Sequence, residues 1–267
     1  MHYWQSVILG IVEGFTEFLP ISSTAHLILS GKILGINQTE FVKSFEIAIQ
    51  FGAILAVVWL YWKRVILNKE IIKKVIAAFL PTAAFGFLLY KTFKGYLMEN
   101  LSVIVWALLL GGVFLIFFEY WHREKTDTTD PRFAEGSGEA RSIESISYRN
   151  CFLIGTCQAI AMVPGVSRAA ATILGGLFLG VKRKTIVEFS FLLAVPTMLS
   201  ATGYDLLKTG FTFSADQFSL LFVGFIVSFL IAILAIKFLL HYIERHDFKW
   251  FGWYRIIIGL IFLLIIL

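Results

Sequence analysis

The chain has 267 residues, 58% of them hydrophobic and 16% aromatic, with a formal net charge of +5 and a mean hydropathy of +0.80. That apolar content exceeds what one soluble core requires and reads as an all-α integral membrane protein. The positive charge does not read as nucleic-acid binding, because Lys and Arg are scattered at the ends of apolar segments, like the loop charges that orient membrane proteins.

In chain order, the N-terminal MHYWQ lacks the basic region of a secretory signal and leads into an apolar run interrupted by Glu13 and Glu17, so insertion is expected to use internal spans. The first region, about 4–29, breaks at LPISST around Pro20, which makes it a poor simple span. Apolar segments of membrane length follow near 44–62, 73–90 and 101–121. Residues 122–150, HREKTDTTDPRFAEGSGEARSIESISYRN, are polar, mixed in charge and read as a solvated linker. A second broken region, 150–177, holds VPGVSRAAAT around Pro164, and three more spans lie near 186–206, 218–240 and 253–267. Pro81 and Pro196 read as ordinary kinks inside spans. Cys151 and Cys157 lie six apart, roughly 9 Å along one helix, which is beyond disulfide reach.

The two halves match. Pro20 and Pro164, Ser23 and Ser167, and Phe45 and Phe189 are each 144 apart, while Gly31-x-x-Leu34-Gly35 recurs one residue out of step as Gly176-x-x-Leu179-Gly180. The pattern predicts a first repeat over 1–121, a cytoplasmic linker over 122–149 and a second repeat over 150–267. If each Pro-centred region dips in and returns, every half has three crossings, and an odd number inverts the second copy. The expected fold is therefore six transmembrane helices plus two re-entrant broken-helix regions in an inverted repeat. Fifteen Lys and Arg then fall on the side of the linker, against Lys32, Lys43, Lys91, Lys94 and Lys208 opposite, which places the linker in the cytoplasm and both termini outside.

Polar groups at membrane depth are costly unless they pair or line a wet cavity, so they mark candidate functional positions. Glu13 and Glu17, four apart, share one helix face. Pro20 ends that helix, and Ser22, Ser23 and Thr24 suit the start of a second half-helix whose free N–H groups bind anions. His26 follows one turn beyond Ser23. In the second half Ser167 and Arg168 open another half-helix, with Thr172 one turn on. Carboxylates on one side, and an Arg with helix N-termini on the other, suit phosphate together with a divalent metal held by Glu13 and Glu17. That metal is expected to be Mg²⁺, with Ca²⁺ as the alternative.

Plainer readings exist for each residue. Glu13 and Glu17 can be a buried structural pair or an interfacial helix face, Ser22, Ser23 and Thr24 mere caps, and His26 a satisfied core histidine. Arg168 can snorkel, and Ser167 and Thr172 can bond carbonyls of their own helix. Glu46, Gln50 and Glu188 sit near span ends, where interfacial solvation is the simpler reading, with Glu188 a candidate support for the site.

EGFTEFLPISSTAHL (13–27) together with PGVSRAAAT (164–172) resembles the bacterial undecaprenyl-pyrophosphate phosphatase family of the bacitracin-resistance type, and the likeness extends to FEIAIQFGAILAV (45–57) and EFSFLLAVP (188–196). The resemblance implies an enzyme of the bacterial inner membrane that removes the terminal phosphate of a polyprenyl pyrophosphate carrier lipid used in cell-wall synthesis, with a divalent metal. It implies functional roles for Glu13, Glu17, Ser23, His26, Ser167, Arg168 and Thr172. Two departures are Ala169 where the family has Ser and Ala25 where it has Gly. The nucleophile stays open between water and a serine; Ser23 is the candidate serine, with His26 or a carboxylate as base. A homodimer also stays open. A carrier or flippase for a lipid phosphate is the rival reading, since transporters also place broken helices at the midplane.

Overall fold

The computed structural model describes residues 1–96, 100–122, 142–209 and 214–266, and these are helical with no strand among them. Ten α-helices follow in order: α1 (Tyr3–Thr16), α2 (Ser23–Ile33), α3 (Glu40–Leu67), α4 (Lys69–Tyr96), α5 (Leu101–Trp121), α6 (Tyr148–Ala159), α7 (Arg168–Phe178), α8 (Arg183–Thr209), α9 (Ala215–Tyr242) and α10 (Lys249–Ile266). Four stretches, Glu40–Arg64, Lys69–Leu88, Leu101–Trp121 and Ala215–Tyr242, are long and apolar enough to cross a membrane. The remaining two long helices, α8 and α10, lie on the spans expected near 186–206 and 253–267 but carry Glu188, Ser190 and Thr197 in one case and Arg255 in the other. Pro81 and Pro196 sit inside continuous helices, as expected. Large side chains such as Trp59, Phe87, Trp106 and Phe117 point outward, an apolar exterior suited to lipid rather than water.

Both broken regions form a helix, a turn and a second helix of 11 residues, and in the second region a 3₁₀ turn at Ile160–Met162 follows the first helix directly. Their turns share an uncommon feature: Ser22 (φ 73°) and Ser167 (φ 59°) are the only non-glycine residues with positive φ among the described residues. Gly35 (φ 63°) and Gly180 (φ 76°) end the second helices of the pairs in the left-handed conformation that glycine tolerates. Tyr3 and Tyr148, Ser22 and Ser167, and Gly35 and Gly180 are each 145 apart, so the backbone pairs Ser22 with Ser167 and Ser23 with Arg168. The expected match of Ser23 with Ser167 is thus corrected by one residue. Proline misled that alignment: counted at 145, Pro20 corresponds to Gly165, which follows Pro164.

Packing repeats the correspondence. α1 packs on α9 while α6 packs on α4; α3 packs on α9 while α8 packs on α4; α3 meets α8, and α5 meets α10. Small residues allow the close approaches. A Cβ on Gly10 would lie 2.8 Å from Gly224 O and one on Gly14 2.5 Å from Ser228 O, a small-xxx-small face on both helices. Gly155, which is 145 beyond Gly10, presses on Ala78 O in the same way. At the helix starts the Tyr3 hydroxyl pairs with Ser219 Oγ at 2.6 Å and the Tyr148 hydroxyl donates to Glu70 at 2.7 Å, so each first helix is tied to the other half.

Most of the expected linker lies outside the described residues, but its end does not read as solvated. Ile143 and Ile146 are fully buried beneath a short 3₁₀ turn, and Lys74 donates to the Glu144 carbonyl. Cys151 and Cys157 are free thiols on α6.

Candidate active site

The first break begins where α1 runs out at Thr16. Glu17 still donates its N–H to Glu13 O at 3.0 Å, so the two carboxylates remain one turn apart on one face. Phe18, Leu19 and Ile21 are buried in the main core, with Phe18 edge-on to Phe191 at 5.5 Å, and they pin the turn. Glu13 and Glu17 are consequently drawn inside, at 0% and 7% exposure.

Three segments meet at Glu17. Ser23 Oγ, in the first turn of α2, donates to Glu17 Oε2 at 2.6 Å, and Arg168, the first residue of α7, reaches Glu17 Oε1 from Nη2 at 3.4 Å. The Arg168 Nη1 donates to the Ser190 carbonyl of α8 at 2.8 Å, while the guanidinium lies 6.0 Å from the Phe18 ring centroid. Arg168 Nε and both Glu13 oxygens are buried with no hydrogen-bond partner among the described residues. Buried charged groups left so are expensive, which marks these positions as functional candidates.

Expected residues divide into those inside this cluster and those around it. Ser167 caps α7 by accepting from Ala170 N at 3.2 Å, so its oxygen is engaged by its own helix, and Ser22 begins α2 with its side chain buried but making no cap bond. Thr172 donates to the carbonyls of Arg168 and Ala169 and meets Ser190 Oγ at 2.5 Å, bracing the first turn of α7 rather than facing the carboxylates. Thr24 is exposed and is not brought to the cluster. His26 is not hydrogen-bonded to Ser23: its Nδ1 pairs with Ser22 O at 2.7 Å and its Nε2 with the Tyr254 hydroxyl at 2.8 Å, against which ring it stacks at 5.5 Å. The base within reach of Ser23 is Glu17. Glu188, the candidate support, pairs with Arg64 at 2.5 Å.

Sequence reasoning missed Ser190, Tyr254 and Arg255. Serine and tyrosine in a membrane helix give no particular signal. Arg255 did: it is a lone charge between apolar residues in the last span, and ionisable groups at such depth are functional candidates.

Among the described residues no three His, Cys, Asp or Glu side chains gather as a metal centre, and the carboxylates this cluster holds are Glu13 and Glu17. A cavity of about 310 Å³ lies elsewhere, between the start of α1 and the start of α3, lined by His2, Gln5, Asn37 and Thr39.

Comparison with known proteins finds relatives along nearly the whole chain. A family model described as bacitracin resistance protein BacA matches residues 6–261. An undecaprenyl-diphosphatase from Aquifex aeolicus (strain VF5) is 52% identical over 262 residues, 98% of each chain. Another from Sulfurihydrogenibium sp. (strain YO3AOP1) is 50% identical over 97% of this chain and 98% of that one, and a third from Wolinella succinogenes is 49% identical over 98% of each.

Proposed function

The chain belongs to the bacitracin resistance protein BacA family, and we propose that it hydrolyses undecaprenyl pyrophosphate to the monophosphate and inorganic phosphate, the activity for which its relatives are named. The observation that carries the reading at this chain's own residues is the Ser23 Oγ to Glu17 Oε2 hydrogen bond of 2.6 Å beside the Arg168 guanidinium.

Ser23 Oγ attacks the terminal phosphorus of the pyrophosphate and its proton passes to Glu17. The bond from that phosphorus to the bridging oxygen breaks, and the lipid monophosphate leaves. Water then takes the phosphoryl group from Ser23, whose oxygen recovers the proton from Glu17. Arg168 balances charge on the transferring phosphoryl group, with its unpartnered Nε–H and the N–H beside it as donors to two oxygens. Ser190 and Thr172 fix the guanidinium and the turn that carries it. Glu13 fits a divalent metal, because its carboxylate is buried without a donor and two carboxylates with substrate phosphate oxygens suit Mg²⁺, or Ca²⁺. Such an ion would hold the pyrophosphate and neutralise part of its charge.

For the surroundings, the reading is a multi-pass protein of the bacterial inner membrane, with α8 and α10 completing six spans, both helix pairs re-entrant and the two halves inverted. The reciprocal packing of the halves supports the repeat, and the one-sided Lys and Arg support outward termini with a site opening to the extracytoplasmic side. Purified protein in detergent, given undecaprenyl pyrophosphate and Mg²⁺, should release inorganic phosphate without any gradient. Binding without release would favour a lipid-phosphate carrier. Phosphate trapped on Ser23 would establish the covalent route, and substantial turnover in Ser23→Ala would replace it with direct attack by water.

A further inference from the structure

Arg255 of α10 is 1% exposed, and its guanidinium is spent on main-chain carbonyls. Nη1 donates to Pro20 O at 3.2 Å in the first break, and Nη2 donates to Gly165 O at 2.9 Å in the second. Nη2 also reaches Ala107 O at 2.9 Å and Nε reaches Leu108 O at 3.5 Å, both in α5. Pro20 and Gly165 are 145 apart, the spacing that relates the two helix pairs, so one side chain grips corresponding carbonyls of both breaks.

A cation in an apolar helix is costly, and an aliphatic side chain would fill the volume without that cost. What an aliphatic chain cannot do is satisfy carbonyls that the breaks leave without helical donors, on two segments at once. The seat is also prepared from the other side. A Cβ on Gly111 of α5 would collide with Arg255 Nη2, so glycine there leaves room for the fork. The next residue back along α10, Tyr254, holds His26 of α2. Ser23 with Glu17 belongs to one break and Arg168 opens the helix after the other, so their meeting depends on how the two turns sit against each other.

We propose that Arg255 is a positioning residue that locks the two breaks together and so keeps Arg168 in register with Glu17 and Ser23. The reaction it serves is the phosphatase reading above. Arg255→Lys retains the charge but has no planar fork to reach carbonyls on both turns. A displacement near 1 Å at a reacting centre can cost about a hundredfold, so Arg255→Lys and Arg255→Met should lower kcat by about that factor with KM within threefold. Gly111→Ala leaves Arg255 in place while displacing its guanidinium, and should lower kcat in the same direction.

Amide hydrogen exchange on the same purified variants supplies the readout that turnover cannot. Protection should fall together in 17–23 and 163–168 while α9 exchanges as in the unaltered protein. A folded Arg255→Lys or Gly111→Ala with turnover within threefold of the parent would overturn the proposal. So would exchange rising in one break alone, or rising evenly through α5 and α10 as a general loss of packing would cause. Should Arg255→Met fail to fold, the other two variants decide. If the unaltered protein releases no phosphate, the functional reading fails, and exchange at the two breaks still tests the lock.

Discussion

The two breaks use one backbone device for different chemistry. Both turn through a serine held at positive φ and both launch a helix of 11 residues. Counted at the common spacing of 145, Glu13 corresponds to Gln158, Glu17 to Met162, Ser23 to Arg168, His26 to Ala171 and Leu27 to Thr172. The first pair thus keeps the acids and the hydroxyl, and the second keeps the cation. In the proposed site neither pair is complete by itself; hydroxyl, acid and cation come together at Glu17. The comparison teaches that two alike turns can supply the same backbone geometry, whereas a site that pairs acids with a cation needs unlike side chains on them.

The largest effect that comparison predicts is at the acid with no counterpart. Glu17→Gln keeps the shape and one acceptor for Arg168 but cannot take the Ser23 proton, so kcat should fall by on the order of a hundredfold or more while the protein still folds. Near-normal phosphate release by folded Glu17→Gln would mean that the first break is not the acidic partner. Arg168→Lys comes next. An ammonium cannot serve Ser190 O, Glu17 and a phosphate together in the planar geometry of a guanidinium. Its loss should approach that of Arg168→Ala, on the order of 3 kcal/mol in the barrier and mostly in kcat. If Arg168→Lys is stable and keeps most of its turnover, the second break contributes only a distant charge.

How much of this was legible in the sequence depends on whether the signal was chemical or geometric. Ionisable residues at membrane depth are rare enough to stand out, so Glu13, Glu17 and Arg168 were found from composition alone. Proline and glycine marked the breaks because both interrupt helices for steric reasons. The partners within the site were less readable. His26 is as near Ser23 along the chain as a catalytic base should be, yet its ring nitrogens are taken by Ser22 O and Tyr254, which lies 228 positions away. No local pattern encodes a contact made by a helix from the far end of the chain. The repeat register was misread by one residue for a related reason: proline identity was followed, whereas positive φ at Ser22 and Ser167 sets the correspondence.

A smaller effect tests His26 in its revised role. Removing the Tyr254 hydroxyl leaves the stacked ring but frees His26 Nε2, so Tyr254→Phe should cost roughly 1 kcal/mol of stability and only a few-fold in kcat. A loss as large as that of Glu17→Gln would return His26 to the chemistry.

The smallest effect is expected at Gln158, the counterpart of Glu13. Both are buried, at 1% and 0% exposure, and both leave an oxygen without a donor. Gln158 differs in being held: its Nε2 donates to Thr82 Oγ1 at 2.9 Å and to Thr197 Oγ1 at 3.0 Å. Each threonine in turn donates to a helix carbonyl, Gly155 O or Leu193 O, so neither hydroxyl proton is stranded when the amide is removed. Gln158→Leu gives up two neutral hydrogen bonds and also removes a buried oxygen that has no partner, and these contributions oppose each other to within about 1 kcal/mol. Stability should therefore change little and phosphate release should stay within about twofold, because Gln158 bonds Thr82 of α4 and Thr197 of α8 rather than Glu17, Ser23 or Arg168. Glu13→Leu removes a side chain of the same burial from the corresponding place and should lower turnover by at least about tenfold, less than Glu17→Gln. Melting temperature and phosphate release measured on both variants make the comparison direct: a folded Gln158→Leu that loses activity as completely as Glu13→Leu would show that the second helix pair carries polar chemistry of its own and that the division between the breaks is wrong.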